Sequence, residues 1–82
     1  MDFRITAREE ALVFRLAKLL DAGMPPLERH LVQELGPDTR QQLEGLKAKG
    51  WILVHGAADG MMAVDLTGPG GKAVRSRRVV GR

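Results

Sequence analysis

One stretch of the chain, residues 38–67, constrains the fold more than any other. It begins with a helical pattern that ends at Gly50, a residue that closes helices at low conformational cost. An apolar run over residues 51–54 follows at once, and an alternating run over residues 62–67 comes after a turn that contains Asp59-Gly60. Asp-Gly accepts positive φ easily, so the two runs predict a β-hairpin. Either a two-residue or a longer turn fits, which leaves the hairpin register open.

Two helices are predicted ahead of this stretch. Thr6 and Glu9 have the spacing of a capping box, which starts a helix over residues 7–22. The apolar face of this helix is wider than packing in a small domain requires, so we expect either a central core helix or, in part, a dimer interface. A shorter helix begins after Pro25-Pro26, carries leucines at helical spacing and ends at Gly36.

A tight turn joins the second helix to the third. Gly36-Pro37 forms this turn, and Asp38 and Gln41 have the spacing of another capping pair. Two short helices joined in this way are what a helix-turn-helix requires. Ahead of all the helices, residues 1–5 alternate in polarity and predict either a short edge strand or an ordered arm.

The order of these motifs resembles winged helix-turn-helix DNA-binding domains and is most similar to MarR-type bacterial regulators. The resemblance spans roughly residues 7–75 and rests on a leucine-containing helix that ends in Lys49-Gly50-Trp51-Ile52, on the hairpin, and on Leu66-Thr67 before a glycine-containing segment. It implies an α+β fold with a three-helix core followed by a two-stranded β-hairpin wing, and Trp51 in the core. MarR-type proteins dimerise through long terminal helices, whereas the segment after the hairpin is short here.

The resemblance also implies that the helix of residues 38–49 lies in the major groove, where its N-terminal and outward positions reach base edges. Arginine can bind guanine through two acceptors, and glutamine can pair both ways with adenine. The DNA-contacting residues expected on this helix are Thr39, Arg40, Gln41, Gln42, Glu44 and Lys47. Gly45 removes a side chain there, either for close approach to a backbone or for tight packing against a neighbouring helix.

Basic residues are concentrated late in the sequence. Of the 13 basic side chains, five follow Gly68 without any acid, so residues 1–67 hold eight basic against ten acidic side chains. The five are Lys72, Arg75, Arg77, Arg78 and Arg82. They either contact phosphates, with an affinity that falls as salt rises, or form a solubilising tail. We expect a domain over residues 1–75 and a basic, flexible tail over residues 76–82, because three glycines in four residues weaken a longer helix.

The tip of the hairpin points to a different function. Residues 56–60 carry Asp59 as their only charge, so contact between the wing and DNA is expected only if a neighbouring backbone amide serves. Met61 and Met62 form either an adhesive spot for a protein partner or part of the core. A wing without basic residues and the acidic balance of residues 1–67 favour the alternative, a winged-helix protein–protein interaction module for dimerisation or assembly.

Composition argues against other classes of function. The chain has no cysteine, and His30 and His55 stand apart from ligand-spaced carboxylates, so we expect neither a metal nor a cofactor. The only serine, Ser76, lies in the tail, and no phosphate-binding glycine loop follows a strand, so no catalysis is expected. Early acidic residues such as Asp2 interrupt any signal peptide, and no apolar run is long enough to span a membrane.

These features together predict a small prokaryotic or phage transcriptional regulator in the cytoplasm. It is expected to bind double-stranded DNA sequence-specifically as a homodimer through helix 7–22, with no evident small-molecule effector. Recognition runs through helix 38–49 in this prediction, and the basic tail holds phosphates.

Overall fold

Three helices, a β-hairpin and a fourth helix follow one another along the chain. The computed structural model describes the backbone of residues 1–80 and the side chains of residues 1–77. The elements are α1 Ala7–Asp21, α2 Glu28–Leu35, α3 Thr39–Ala48, β1 Ile52–Gly56, β2 Met62–Leu66 and α4 Gly68–Val80. The predicted α+β class, with a hairpin after three helices, is confirmed.

α1 begins with the predicted capping box. The Glu9 amide donates to the Thr6 hydroxyl at 3.1 Å, and the Thr6 amide donates to the Glu9 carboxylate at 2.8 Å. These bonds satisfy two backbone amides that the start of a helix leaves free. The apolar stripe that follows is buried and consists of Leu12, Val13, Leu16 and Ala17.

α1 is also the central helix of the core. It packs against α3, β2 and α4, so its apolar residues meet neighbours on several sides. Its exposed positions include Arg8, Ala11 and Lys18, which form no continuous apolar surface. The core interpretation therefore accounts for the width of the apolar face, and a dimer through helix 7–22 stays a prediction.

A short turn joins α2 to α3. Gly36 adopts a φ of 102°, which glycine tolerates, and the Thr39 amide donates to the Gly36 carbonyl at 3.2 Å. Asp38 makes no side-chain capping bond, so the predicted Asp38–Gln41 pair is wrong. The backbone of Asp38 is already helical (φ −65°, ψ −15°), whereas a capping residue needs an extended one. Its carboxylate lies instead 3.5 Å from the Arg8 guanidinium.

The hairpin uses the longer of the two turns that the sequence allows. β1 and β2 are antiparallel, in a register that places Gly56 opposite Met62. Residues 58–60 form one turn of 3₁₀ helix between the strands. Asp59 and Gly60 have φ values of 63° and 72°, so the Asp-Gly pair supplies the positive φ that the sequence predicted.

The hairpin is attached to the segment before α2. The Val64 amide donates to the Pro26 carbonyl at 2.8 Å, and Leu27 forms an antiparallel bridge with Ala63. These contacts cover the edge of β2 that does not pair with β1. They fix the hairpin relative to α2 and therefore relative to α3.

Residues 1–5 form an ordered arm and contain no strand. The Asp2 amide donates to the Lys49 carbonyl at 3.0 Å, and the Trp51 indole nitrogen donates to the Asp2 carbonyl at 2.7 Å. The arm thus supplies the acceptor that a buried indole N–H needs. Trp51 itself is fully buried, which confirms its predicted place in the core.

α4 is longer than the weak final turn that the glycines suggested. This helix continues to Val80. The Thr67 hydroxyl accepts a hydrogen bond from the Gly70 amide at 2.9 Å and so caps the helix start.

A glycine in the first turn of α4 explains how the helix packs. A side chain at Gly70 would overlap the carbonyl oxygen of Trp51, so only glycine lets α4 lie this close to the start of β1. Val74, one turn later, is 1% exposed. Burial of this side chain offsets the low helix propensity of the glycines, which is why the expected weak helix forms.

Candidate nucleic-acid interface

α3 has one face in the core and the other in solvent. Thr39, Leu43 and Leu46 are buried at spacings of four and three residues, which is one face of a helix. α3 packs against α1, α2 and β1. The opposite side of α3 is exposed and can contact a partner. The packing of its inner face keeps α3 from rotating about its own axis.

A buried carboxylate fixes the C-terminal end of α3. Glu9 is 5% exposed, and one of its oxygens accepts from the Lys49 ammonium at 2.7 Å and from the Thr6 amide at 2.8 Å. Burial raises the pKa of the Glu9 carboxyl, but the bonds from Lys49 and Thr6 and the charge of Lys49 outweigh burial and hold the pKa below its ordinary value of 4.5. The charged carboxylate therefore links the start of α1 to the end of α3 at neutral pH.

Gly45 belongs to the same contact. A side chain at this position would overlap the second carboxylate oxygen of Glu9. Of the two roles that the sequence left open for Gly45, the structure supports tight packing against the neighbouring helix α1.

Four of the six residues predicted to read DNA on this helix are exposed. They are Arg40, Gln41, Glu44 and Lys47. The Arg40 guanidinium lies 3.7 Å from the Glu28 carboxylate of α2, and its side chain remains 67% exposed. Among the described residues, Glu44 and Lys47 have no ion-pair partner. The exposed face therefore offers two cations and one unpaired carboxylate.

The other two residues predicted to contact DNA, Thr39 and Gln42, are less accessible. Thr39 is 2% exposed, so its side chain is not available to DNA, and its inclusion among the contact residues is corrected. Gln42 is half-buried and lines a groove between α1 and the α2–α3 turn, together with Arg8 and Leu35. Consecutive helical residues point about 100° apart, so Arg40 and Gln42 cannot share one face.

The basic residues of α4 fall into two groups. Lys72 and Arg75 are exposed. Arg77 donates to Glu10 at 2.5 Å and to the Phe3 carbonyl at 2.7 Å, and its guanidinium lies 5.4 Å from the centre of the Trp51 ring. The prediction that Arg77 belongs to an unpacked tail is wrong, because these contacts fix it to the domain. The side chain of Arg78 and the whole of Arg82 lie outside the described residues.

The β-hairpin offers no lysine or arginine and no single apolar patch. Met62 is 42% exposed and Met61 is half-buried, so neither belongs to the fully buried core. Leu53 is also 42% exposed. The strand register places Leu53 and Met62 on opposite faces of the hairpin, so they cannot form one docking surface.

Other kinds of site find little support in the part of the chain that the structure describes. His30 and His55 are both exposed, and no group of three or more potential metal ligands occurs among the described residues. No helix within residues 1–80 is long and apolar enough to cross a membrane.

Sequence reasoning missed two ion pairs between residues that are far apart in the chain. Glu9 was recognised as a capping residue, but its pairing with Lys49 joins residues 40 positions apart. Arg77 and Glu10 are 67 positions apart. No local sequence pattern predicts either ion pair, because both depend on how the helices pack.

Comparison of this chain with protein-family models, with curated proteins and with solved structures finds no match. The geometry of the α3 surface therefore carries the functional proposal by itself.

Proposed function

We propose that the chain is a winged helix-turn-helix domain that binds double-stranded DNA sequence-specifically as a small transcriptional regulator. The order of three helices and a hairpin supports this fold. One observation carries the function: α3 follows a tight turn after α2, its inner face is buried, and its outer face presents Arg40, Gln41, Glu44 and Lys47. A helix held in this way can enter the major groove without losing its contacts to the core.

The exposed residues have distinct roles in this proposal. Arg40 and Gln41 contact base edges, since arginine suits guanine and glutamine suits adenine. Lys72 and Arg75 of α4 are available for phosphates, whereas Arg77 is retained by the fold. We propose no cofactor and no effector, and the lack of cysteine suits a reducing cytoplasm.

The proposal includes a homodimer, because a dimer doubles the recognised sequence. Sedimentation at tens of micromolar and on the selected duplex tests this part. A dimer in either condition supports the homodimer. A monomer in both conditions contradicts the homodimer, but it leaves DNA binding by a single copy possible.

Selection from random-sequence duplexes at two salt concentrations, followed by affinity measurements on variants, tests the function. Replacing Arg40 and Gln41 with alanine should weaken the selected site by about 1–3 kcal/mol per lost bidentate contact and relax sequence preference. Arg29→Ala, which removes an exposed arginine from α2, is the matched control and should change specific binding little. If the Arg40 and Gln41 double variant and Arg29→Ala lose equal affinity for specific and for random DNA, α3 does not read the base sequence.

The alternative is a winged-helix module that binds a protein. The wing favours it, because Asp59 is the only charged residue at its tip and offers nothing to DNA phosphates. The same selection separates the two functions. Absence of binding to any duplex at low salt would favour the protein-binding module.

A further inference from the structure

The exposed face of α3 contains a carboxylate, although the phosphates of nucleic acids favour cations. Glu44 is exposed and has no ion-pair partner within the described residues. Arg40 precedes it by four residues and Lys47 follows it by three, so both cations are neighbours of Glu44 on the helix surface. A carboxylate in this position repels phosphates, and it can be accommodated on DNA only where it finds a hydrogen-bond donor.

The chemistry of the base edges limits which donor that can be. In the major groove the cytosine amino group stands as a donor, whereas guanine presents only acceptors and thymine an acceptor and a methyl group. Adenine has an amino donor too, but its N7 acceptor lies beside that donor and disfavours a carboxylate. A free glutamate on a reading helix therefore selects cytosine.

The neighbours of Glu44 extend this preference. The segment from Arg40 to Lys47 is about 10 Å long, which equals about three base-pair steps. The side chains of Arg40 and Lys47 can each donate hydrogen bonds to the two acceptors of guanine. The partly exposed Glu28 carboxylate lies 3.7 Å from Arg40 and can orient its guanidinium.

We infer that Glu44 is the specificity-determining residue of this surface: it selects a cytosine within a G·C-rich half-site and weakens binding to every other sequence. The inference rests on the proposed DNA-binding function. Where guanine or thymine stands at that position, the carboxylate meets no amino group and remains unpaired next to phosphates.

Isosteric replacements test this role. Glu44→Gln removes the charge, keeps the length of the side chain, and turns an acceptor-only group into one that pairs both ways with adenine. Asp59→Asn at the wing tip is the matched control, because it removes the same charge from another exposed carboxylate and asparagine tolerates the positive φ of 63° there. Selections from random duplexes are run for the full-length wild type and both variants at one salt concentration.

The wild type should select a half-site with G·C pairs at the α3 positions, one of which presents cytosine to Glu44. Glu44→Gln should change that position from cytosine to adenine and raise affinity for random duplexes by about threefold to tenfold. Asp59→Asn should leave the selected sequence as it is.

Two results overturn the inference, and they are distinguishable. If the wild type selects a motif and Glu44→Gln selects the same one, Glu44 does not read the site, although sequence-specific binding stands. If the wild type selects no motif, the proposed function fails and the role of Glu44 fails with it. Circular dichroism of both variants confirms that the comparison is made on folded protein.

Discussion

α3 and α4 both carry basic residues, but the fold uses them differently. In α4, Arg77 is engaged by Glu10, by the Phe3 carbonyl and by the face of Trp51. In α3, Arg40 keeps two thirds of its side chain exposed beside Glu28. A count of charges therefore does not say which cations are available to a ligand, because packing engages some of them and leaves others exposed.

The largest expected effect concerns the packing of α4. Gly70→Ala places a methyl group against the Trp51 carbonyl oxygen, which is backbone and cannot move aside easily. We expect a loss of about 2–4 kcal/mol in the free energy of unfolding, measured by urea denaturation. Gly71→Ala is the control, since its added atom meets only the end of the Arg75 side chain at 3.7 Å. Equal losses from both replacements would show that α4 does not pack as described.

Removing Arg77 should have the next largest effect. Arg77→Ala deletes an ion pair, a hydrogen bond to Phe3 and a cation–π contact, so we expect about 1–2 kcal/mol of destabilisation by the same method. Arg75→Ala removes an exposed arginine two residues away and should change stability by less than about 0.5 kcal/mol. If the two variants are equally stable, Arg77 belongs to a loose basic tail after all.

The contact between Glu9 and Lys49 predicts a pH dependence of stability. The pKa of Glu9 is lowered in the folded state, so its stabilisation is present at neutral pH and is lost as the pH falls from about 4.5 through the folded pKa. Glu9→Gln should therefore lose less stability than the wild type between about pH 5 and pH 3, and at pH 7 it should be less stable by about 1 kcal/mol.

A second variant provides the control for the pH series. Glu44→Gln removes an exposed carboxylate that has no ion-pair partner among the described residues, so its stability should follow the wild-type pH curve. A Glu9→Gln curve parallel to the wild type would contradict the electrostatic link between α1 and α3.

The smallest expected effect on stability is that of Arg40→Ala. Its ion pair with Glu28 is long, at 3.7 Å, and exposed, so removal should change the free energy of unfolding by less than about 0.5 kcal/mol. The same variant should weaken specific DNA binding. A large loss of stability would instead place Arg40 with Arg77, among the arginines that hold the fold together.

The parts of the fold that depend on neighbouring residues were predictable from the sequence. The Thr6–Glu9 capping box and the positive φ at Asp59-Gly60 follow from short patterns, although the length of the turn did not. The buried place of Trp51 was implied by the resemblance. The prediction at Asp38 failed although the spacing was right, because the tight turn had already set its backbone to a helical conformation.

The parts that depend on distant contacts were not predictable in the same way. Low helix propensity of the glycines suggested a weak final helix, whereas Gly70 is the residue that lets α4 reach Trp51. Within the candidate site, helical spacing placed Arg40, Glu44 and Lys47 outward as observed. The burial of Gln42 depends on the groove beside α1, which spacing within α3 does not reveal.

Chemical-shift mapping of the isotope-labelled chain against a random-sequence duplex at low salt tests the central claim most directly. We expect the largest shifts at the amides of α3, with smaller changes at Lys72 and Arg75. The α3 amides that should shift most are those of Arg40, Gln41, Glu44 and Lys47. Shifts confined to α4, or no shifts at all, would contradict the claim that the exposed face of α3 binds DNA.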